Sequence, residues 1–349
     1  MHPFSATRRA LLQFTATSSI LAGGVLASCA APKDTAAADA GSSGSPTPAV
    51  GEVAAQPGSL EYDRNQWLEL LAANSGIRRT VRFSEQGVDA TTESDDPKIA
   101  AKIIEHAQAM QARMRTGARV RGWDPVFVDL FNKHEVVKLE VTPTERGVTI
   151  VERSSDAEAV RLLHAHALGV NEFVRSGMKA ARRPTTRLVE GDPVPIDEVA
   201  IGGVSQRFLV GQPTAAQSAL LKRDGVGMVI NYRPARENPK YDEQAAVTAA
   251  GMDYRTLPYA SPAELTDELF DSTRSALREA AKEGEVVALH CRSGSRSSTA
   301  WVGYRVLDQN IPIDQAIAEA RVLQMRGPEM EAKAREYVER RRSILNPGG

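Results

Sequence analysis

The sequence predicts an α/β protein with two folded parts, and two observations indicate this. From about residue 194 to 345, short apolar runs alternate with helical patterns, which is typical of a parallel sheet covered by helices. From about residue 60 to 181 the chain repeats itself with a period of 60 residues, which predicts a duplicated α+β domain built from ββα units. Residues 1–59 are expected to lie outside the fold.

Residues 1–29 are predicted to be an export signal. Thr7-Arg8-Arg9 begins a twin-arginine pattern, and an apolar stretch follows it up to Leu26. Leu26-Ala27-Ser28-Cys29 resembles a bacterial lipobox, in which the sulfur of Cys29 receives the lipid. A membrane helix is disfavoured because the apolar run is short and interrupted. We therefore expect an exported, lipid-anchored protein on the periplasmic or cell-envelope side, with residues 30–59 as a flexible tether rich in Ala, Gly, Ser and Pro.

The net charge and the cysteine content of the chain limit the binding partners and the disulfides that the sequence predicts. The chain has 43 basic and 44 acidic residues, so nothing predicts binding to nucleic acid or to an anionic membrane surface. If Cys29 carries lipid, Cys291 is the other of the 2 cysteines and no internal disulfide can form. A single exposed thiol in an oxidising compartment predicts chemistry at Cys291.

Each unit of the repeat predicts a short helix, two strands around a Gly-Val turn, and a longer helix. The turns are Gly87-Val88 and Gly147-Val148, which are equivalent in the repeat. Asp96 and Asp156 are expected to cap the longer helices, which should end near a glycine. Two such units predict a pseudo-two-fold axis.

His106 and His166 occupy equivalent positions in the two units. One interpretation is that the two imidazoles meet and hold a metal or haem, with Met110 or His164 nearby. The other is that they are hydrogen-bonded core histidines inherited by duplication. We favour the second and expect no cofactor, because no cluster of carboxylates or cysteines completes a set of metal ligands.

The C-terminal part is predicted to follow a polar linker at about residues 182–193. Its predicted strands and helices, in order, are strand 208–210, helix 216–223, strand 227–234, helix 243–250, strand 254–259, helix 262–283 and strand 286–289, followed by at least two more helices. Parallel sheets of this type bind ligands at the carboxyl ends of their strands.

The last predicted strand leads into a short cysteine-containing loop and then a helix. Backbone N–H groups of such a loop, together with the helix dipole, form an anion-binding site. This field and the charges of Arg292 and Arg296 are expected to ionise Cys291 near neutral pH and make it a nucleophile. A structural cysteine is disfavoured, because two arginines around a core thiol are costly to bury. The other residues expected to bind the substrate anion are Ser293, Gly294, Ser295 and Ser297.

Four motifs of the C-terminal part occur together. They are Gly211-Gln212-Pro213, Val229–Pro234 with Glu237, Leu257-Pro258, and His290–Arg296. In this order they resemble the beta-lactamase hydrolase-like, phosphatase-like domains, which are relatives of dual-specificity and tyrosine phosphatases. The resemblance implies a cysteine-phosphatase-like fold for residues 194–345.

The loop departs from the phosphatase pattern at one position. Cysteine phosphatases use His-Cys-x-x-Gly-x-x-Arg, but here the sixth residue after Cys291 is Ser297, and Arg296 precedes it. The shorter spacing is similar to the loop of rhodaneses, in which the thiolate accepts a sulfane sulfur. Phosphatases also need a general acid, yet residues 258–264 contain no Asp. The nearest acids, Glu264 and Asp267, have the pattern of first-turn helix residues.

Three functions follow from these observations. We favour a sulfurtransferase in which Cys291 carries a persulfide. The alternatives are a phosphatase-like hydrolase of phosphate esters and a lipid-anchored redox or ligand sensor. The expected substrate is a small sulfur or phosphate anion, and Arg233 is expected either to line its crevice or to form a surface salt bridge.

Overall fold

The structure is a computed structural model that describes residues 55–237 and 241–345. The predicted export signal, Cys29 and most of the predicted tether lie outside the described residues. Among the helices that are described, none is both long and apolar enough to cross a membrane.

The first part of the described chain consists of two helix–strand–strand–helix units. Their elements are α1 (Leu60–Ala72), β1 (Arg78–Ser84), β2 (Gly87–Glu93) and α2 (Pro97–Thr116), then α3 (Pro125–Asn132), β3 (Lys138–Thr144), β4 (Gly147–Arg153) and α4 (Ala157–Ser176). A short helix, α5 (Met178–Ala181), follows. The strands and the longer helix of the second unit begin 60 residues after those of the first.

The ends of the longer helices have the predicted local structure. The side chain of Asp96 accepts hydrogen bonds at the start of α2, and that of Asp156 accepts one from Ala159 N–H at the start of α4. Helix α2 ends at Gly117, whose φ of 67° is left-handed, a conformation that favours glycine. The predicted capping residues are therefore confirmed.

Strands β2 and β4 join the two units. They pair antiparallel, and Ala90 faces Ile150, which is the equivalent position of the repeat. A two-fold axis through an antiparallel pair produces this register, because it exchanges equivalent residues. The register of this one strand pair is thus the one that the predicted pseudo-two-fold axis requires.

The remaining elements are β5 (Glu198–Ile201), β6 (Arg207–Leu209), α6 (Ala215–Arg223), β7 (Val226–Asn231), α7 (Glu243–Ala249), β8 (Asp253–Thr256), α8 (Asp267–Glu283), β9 (Val286–His290), α9 (Ser295–Leu307), α10 (Ile313–Val322) and α11 (Pro328–Leu345). From β6 to α9 they alternate between strands and helices in the predicted order, whereas β5, which precedes them, was not predicted. Helix α8 begins later than residue 262, because residues 262–264 form a 3₁₀ turn and Thr266 caps the helix.

All nine strands of the described residues form one mixed sheet in the order β3-β4-β2-β1-β5-β6-β9-β7-β8. The pairs β6–β9, β9–β7 and β7–β8 are parallel, as predicted for this part. Strand β5 pairs antiparallel with β1 on one side and with β6 on the other, so the sheet runs through both predicted folded parts. Strand β9 lies between two parallel neighbours, which places Cys291 at the carboxyl edge of the parallel region.

Helix α9, which follows the cysteine loop, is buried along most of its length. Its Trp301 is fully buried and packs edge-on against Phe208 of β6, with ring centroids 5.1 Å apart. Aromatic pairs of this geometry add packing energy beyond the area that they bury. This packing holds the start of α9, and thus the loop, against the sheet.

A buried group of charges connects α4 with β5 and β6. One carboxylate oxygen of Glu198 accepts hydrogen bonds from both terminal nitrogens of Arg175 at 3.1 Å, and the other accepts one from Arg207 at 3.1 Å. Arg207 also donates to Glu172 at 2.6 Å. Burial alone would raise the pKa of Glu172, but Arg175 and Arg207 outweigh it and lower that pKa to about 2. Glu172 is therefore ionised at pH 7 and pairs with both arginines.

Substituting Glu198 should destabilise the whole described fold. In Glu198→Ala, two buried guanidinium groups lose their shared partner, and we expect the free energy of unfolding to fall by about 3–5 kcal/mol. Urea unfolding followed by circular dichroism measures this change. The control is Glu339→Ala, which removes an exposed carboxylate of α11 and should change stability by less than about 0.5 kcal/mol. Equal stability of the two variants would contradict the prediction.

Candidate active site

The Cys291 side chain lies immediately beyond the carboxyl end of β9. The thiol is buried, with 1% of the residue exposed, so the expectation of an exposed thiol is wrong. The loop folds over the sulfur, because the N–H of Gly294 donates to Cys291 Sγ at 3.1 Å. Gly294 has a φ of 93°, and a Cβ atom there would lie 2.7 Å from the carbonyl oxygen of Leu323. Only glycine fits this turn without displacing the neighbouring backbone.

The electrostatic environment favours the thiolate. Burial alone would raise the pKa of the Cys291 thiol. Backbone N–H groups of Ser297 and Ser293, with the N–H and guanidinium of Arg296, outweigh burial, so the pKa lies below its ordinary value. Helix α9 begins at Ser295 and adds the partial positive charge of its N-terminus.

Arg296 is fixed beside the sulfur by three contacts. Its terminal nitrogens donate to the two carboxylate oxygens of Glu237 at 2.5 and 3.2 Å and to the carbonyl oxygen of Tyr259 at 3.1 Å. The Tyr259 hydroxyl donates in return to the carbonyl oxygen of Arg296 at 2.7 Å. The predicted proximity of this guanidinium to the thiolate is present in the structure, since each group affects the ionisation of the other.

The other loop residues with a predicted role in the site differ in their exposure and in their hydrogen bonds. Arg292 is exposed, whereas Ser297 is buried and its hydroxyl donates to the Gly294 carbonyl oxygen at 3.0 Å. Ser293 is half-buried, and the Ser295 hydroxyl accepts from the backbone N–H of Arg326 at 3.1 Å. The hydroxyls of Ser297 and Ser295 thus hold the loop in shape.

Arg233 reaches the same region from the end of β7. Its Nε lies 3.7 Å from the Glu237 carboxylate, which also holds Arg296. Its backbone N–H donates to the Asn231 side chain at 2.7 Å, and its side chain is 15% exposed. Arg233 and Arg296 therefore share one carboxylate, so Arg233 is near the loop and is not an isolated surface ion pair.

A buried carboxylate, Glu243, contacts side chains of three parallel strands, β7, β8 and β9. One of its oxygens accepts from Asn231 of β7 at 2.9 Å, from Tyr254 of β8 at 3.1 Å and from Gln212 at 2.8 Å. The other lies 2.9 Å from Nε2 of His290, the last residue of β9. Burial opposes ionisation, but these partners lower the pKa of Glu243 below its ordinary value. His290 is thus a positioning residue at the strand end.

Residues 206–307, which include β6 to α9 and the whole cysteine loop, match the family model described as the beta-lactamase hydrolase-like protein, phosphatase-like domain. The predicted family resemblance is confirmed.

Curated relatives of this phosphatase-like domain match only part of their own length. A beta-lactamase hydrolase-like protein of Agrobacterium fabrum is 34% identical over 113 residues, which cover 31% of this chain and 25% of the relative. One of Xylella fastidiosa is 29% identical over 120 residues, which cover 33% and 27%. The chain thus spans about a quarter of the length of these relatives.

Two solved structures are similar to the same part of the chain. A putative phosphatase of Shewanella putrefaciens is 25% identical, with a TM-score of 0.32, over 39% of this chain and 87% of that one. TpbA of P. aeruginosa is 22% identical, with a TM-score of 0.33, over 41% of this chain and 84% of that one.

The acids considered for proton transfer in the phosphatase-like domain have structural partners. The Glu264 carboxylate accepts from the N–H of Ala260 at 2.9 Å and from the Ser261 hydroxyl at 3.4 Å. Asp267 is in the first turn of α8 and forms an ion pair with Arg340 at 2.6 Å. Asp267 is in the first helical turn as predicted, whereas Glu264 lies in the 3₁₀ turn before α8, so the prediction for Glu264 is wrong.

Two residues of this site had no predicted role. Glu237 belongs to one of the recognised motifs, but its contact with Arg296 spans 59 residues of sequence. Glu243 is at the first position of α7, where an acid usually indicates only a favourable interaction with the helix dipole. A more specific signal for either residue is absent from the sequence.

The two histidines of the repeat lie outside the phosphatase-like domain. His106 and His166 line one cavity together with Met110. His164 lies elsewhere, and its Nε2 is 2.9 Å from the Ser84 carbonyl oxygen. Among the described residues, no group of three or more His, Cys, Asp or Glu side chains could hold a metal ion.

Removing the buried carboxylate of Glu243 should lower the stability of the folded protein. Glu243→Ala leaves several buried donors without an acceptor, and we expect the free energy of unfolding to fall by about 3 kcal/mol. The neighbouring variant Gln244→Ala, at an exposed position of the same helix, is the control. Thermal and urea unfolding measure the difference, and a loss below about 1 kcal/mol in Glu243→Ala would refute the structural role of this carboxylate.

Proposed function

We propose that this protein is a cysteine-dependent phosphatase-like enzyme. The observation that supports it best is a buried sulfur that accepts the N–H of Gly294 at the start of a helix and lies beside Arg296. The phosphatase-like domain to which residues 206–307 are similar supports the same reaction class.

In the proposed reaction, Cys291 Sγ attacks the phosphorus of a phosphate monoester. The new S–P bond replaces the P–O bond to the leaving group, which departs as an oxyanion and takes a proton from solvent. The loop N–H groups and Arg296 stabilise the negative charge on the phosphoryl oxygens. Water then attacks phosphorus, the S–P bond breaks, and phosphate and the thiolate are released.

This proposal predicts a preference among phosphate esters. Residues 258–264 contain no Asp, and Glu264 is engaged with the backbone. Without a general acid, the leaving group must depart unprotonated, so aryl phosphates should react much faster than alkyl phosphates.

Sulfur transfer is a second candidate, because Arg296 comes one residue earlier than in phosphatases and Ser297 takes its place. In that reaction, Cys291 Sγ attacks the outer sulfur of thiosulfate and expels sulfite. The resulting persulfide passes its sulfur to cyanide or to a thiol. The expelled sulfite is already an anion and needs no general acid.

One experiment separates the two candidates. Purified protein is incubated with p-nitrophenyl phosphate or with thiosulfate, and nitrophenol release and intact mass are measured. Phosphatase activity predicts nitrophenol release that depends on Cys291 and no stable gain in mass from thiosulfate. A gain of one sulfur atom that is absent in Cys291→Ser, without nitrophenol release, would replace this proposal by sulfur transfer.

We also propose that the chain is exported and anchored by lipid on Cys29, in agreement with the lipobox-like sequence that ends there. Membrane fractionation of cells that make the native protein should recover it with a lipid-modified N-terminus at Cys29. Cys29→Ala should release it from the membrane fraction. Unprocessed native protein in the cytosol would contradict the proposal.

A further inference from the structure

A cavity of about 960 Å³ lies between the sheet strands β1–β4 and helices α1–α4. Its walls are mostly apolar and include the aromatic rings of Trp67, Phe127 and Phe173. Small-molecule sites in proteins have volumes of about 300–1,000 Å³ and apolar walls with a few polar groups. The size and lining of this cavity are those of a ligand site.

Polar side chains are interspersed in the apolar lining, and three of them, Glu61, Arg64 and Asn65, are exposed. The others are Asn74, Arg79, Thr92, His106, Arg121, Glu152 and His166. The Nδ1 atoms of both histidines are buried and form no hydrogen bond with the described residues. Nδ1 of His166 lies 3.7 Å from the carboxylate of Glu152, and only 3% of Glu152 is exposed. Buried polar atoms without partners are rare in native proteins, so these atoms indicate a function for the cavity.

The charge balance of these groups limits what can bind beside them. Burial lowers the pKa of both His106 and His166 to about 4, so each imidazole is neutral at pH 7 and offers one donor and one acceptor. Burial raises the pKa of Glu152 to about 7, and Arg79 stays charged with a pKa of about 10. Arg79 already donates to Asn171 and Thr92, and the cavity-lining Arg121 donates to Asp124. A carboxylate in the cavity would therefore meet Glu152 and guanidinium groups that have other partners, and an ammonium would meet two positive charges.

The exposed residues that line the cavity include large apolar side chains beside the polar ones. Three of its lining residues, Leu60, Trp123 and Met178, are among the exposed large hydrophobic side chains, with 51%, 54% and 37% exposure. Exposed apolar side chains that cluster at one place mark a site of contact with an apolar molecule. These side chains favour the binding of a ligand with a hydrophobic body.

We propose that the cavity binds an uncharged amphiphile, with an apolar chain along the aromatic walls and a hydroxyl or carbonyl headgroup that hydrogen-bonds to His106 and His166. The apolar body accounts for the walls and for the exposed apolar side chains. The neutral headgroup satisfies both imidazoles and avoids the charges of Arg79 and Glu152. This proposal is independent of the reaction at Cys291.

A series of headgroups on one chain tests the proposal. The full-length protein is titrated by calorimetry with 1-dodecanol, dodecanoate or dodecylammonium, each below its aggregation concentration. We expect saturable binding of one dodecanol, on the order of tenfold tighter than that of either charged congener, because an unmatched charge is costly to bury. The proposal would be overturned if dodecanol binding did not saturate, or if dodecanoate bound with equal affinity.

Two variants locate the binding site. Val170→Trp fills the cavity and should lower the affinity for dodecanol at least about tenfold, whereas Val189→Trp adds the same side chain at an exposed position outside it and should not. His106→Phe keeps the volume but removes a hydrogen-bond partner of the headgroup, so it should lower the affinity for dodecanol. Unchanged affinity in a folded Val170→Trp would overturn the proposal. Stoichiometric haemin binding that depends on His106 and that dodecanol does not displace would also overturn it, in favour of a haem site.

Discussion

Cys291→Ser is expected to lower kcat/KM for p-nitrophenyl phosphate by on the order of a thousandfold or more, because it removes the thiolate that forms the S–P bond in the first step. The fold should be retained, since serine is smaller than cysteine and the Gly294 N–H can donate to its hydroxyl in place of Cys291 Sγ. Steady-state kinetics measure the loss. Activity within about tenfold of the wild type would show that Cys291 is not the nucleophile.

The pH dependence of the thiolate follows from the same environment. The pKa of Cys291 lies below its ordinary value of 9.0, so the thiolate forms at lower pH than in the unfolded chain. Far-ultraviolet thiolate absorbance should therefore rise earlier with pH in folded protein than in protein unfolded by urea. Subtracting the titration of Cys291→Ser removes the signal of Cys29. Coincident curves for folded and unfolded protein would contradict the lowered pKa.

Arg296→Ala should cause the second-largest loss of activity. It removes the guanidinium beside the sulfur, so the pKa of Cys291 should rise and a donor to the transferred group is lost. Removal of one such group lowers kcat by about 100- to 1,000-fold in other enzymes, and we expect a similar loss in kcat/KM. The thiolate titration should shift toward higher pH in parallel.

The control for this prediction is Arg326→Ala. Arg326 is exposed, and its backbone N–H contacts the loop at Ser295, but its side chain donates to Gln324. Removing its charge should change kcat/KM by less than about threefold, because exposed charges are screened. Similar losses in Arg296→Ala and Arg326→Ala would show that only the net charge of the region matters.

Local patterns were sufficient for several features of the fold. Asp96 and Asp156 cap their helices as predicted, since a capping side chain contacts N–H groups only a few residues away. The cysteine loop could also be predicted from local patterns, because its strand, its Gly294 turn and its helix follow one another in the chain. The family resemblance rested on this loop and on three other short motifs that precede it in the chain.

Contacts between distant residues decided the rest. Glu237 holds Arg296 across 59 residues, Glu243 contacts side chains of β7, β8 and β9, and β5 joins β1 to β6 in a single sheet. The thiol proved buried, and the two equivalent histidines proved to line one cavity, because burial depends on which elements pack together. Periodicity and capping depend on the conformation of residues that are neighbours in the sequence. The pairings between distant residues depend instead on the packing energy of the whole chain.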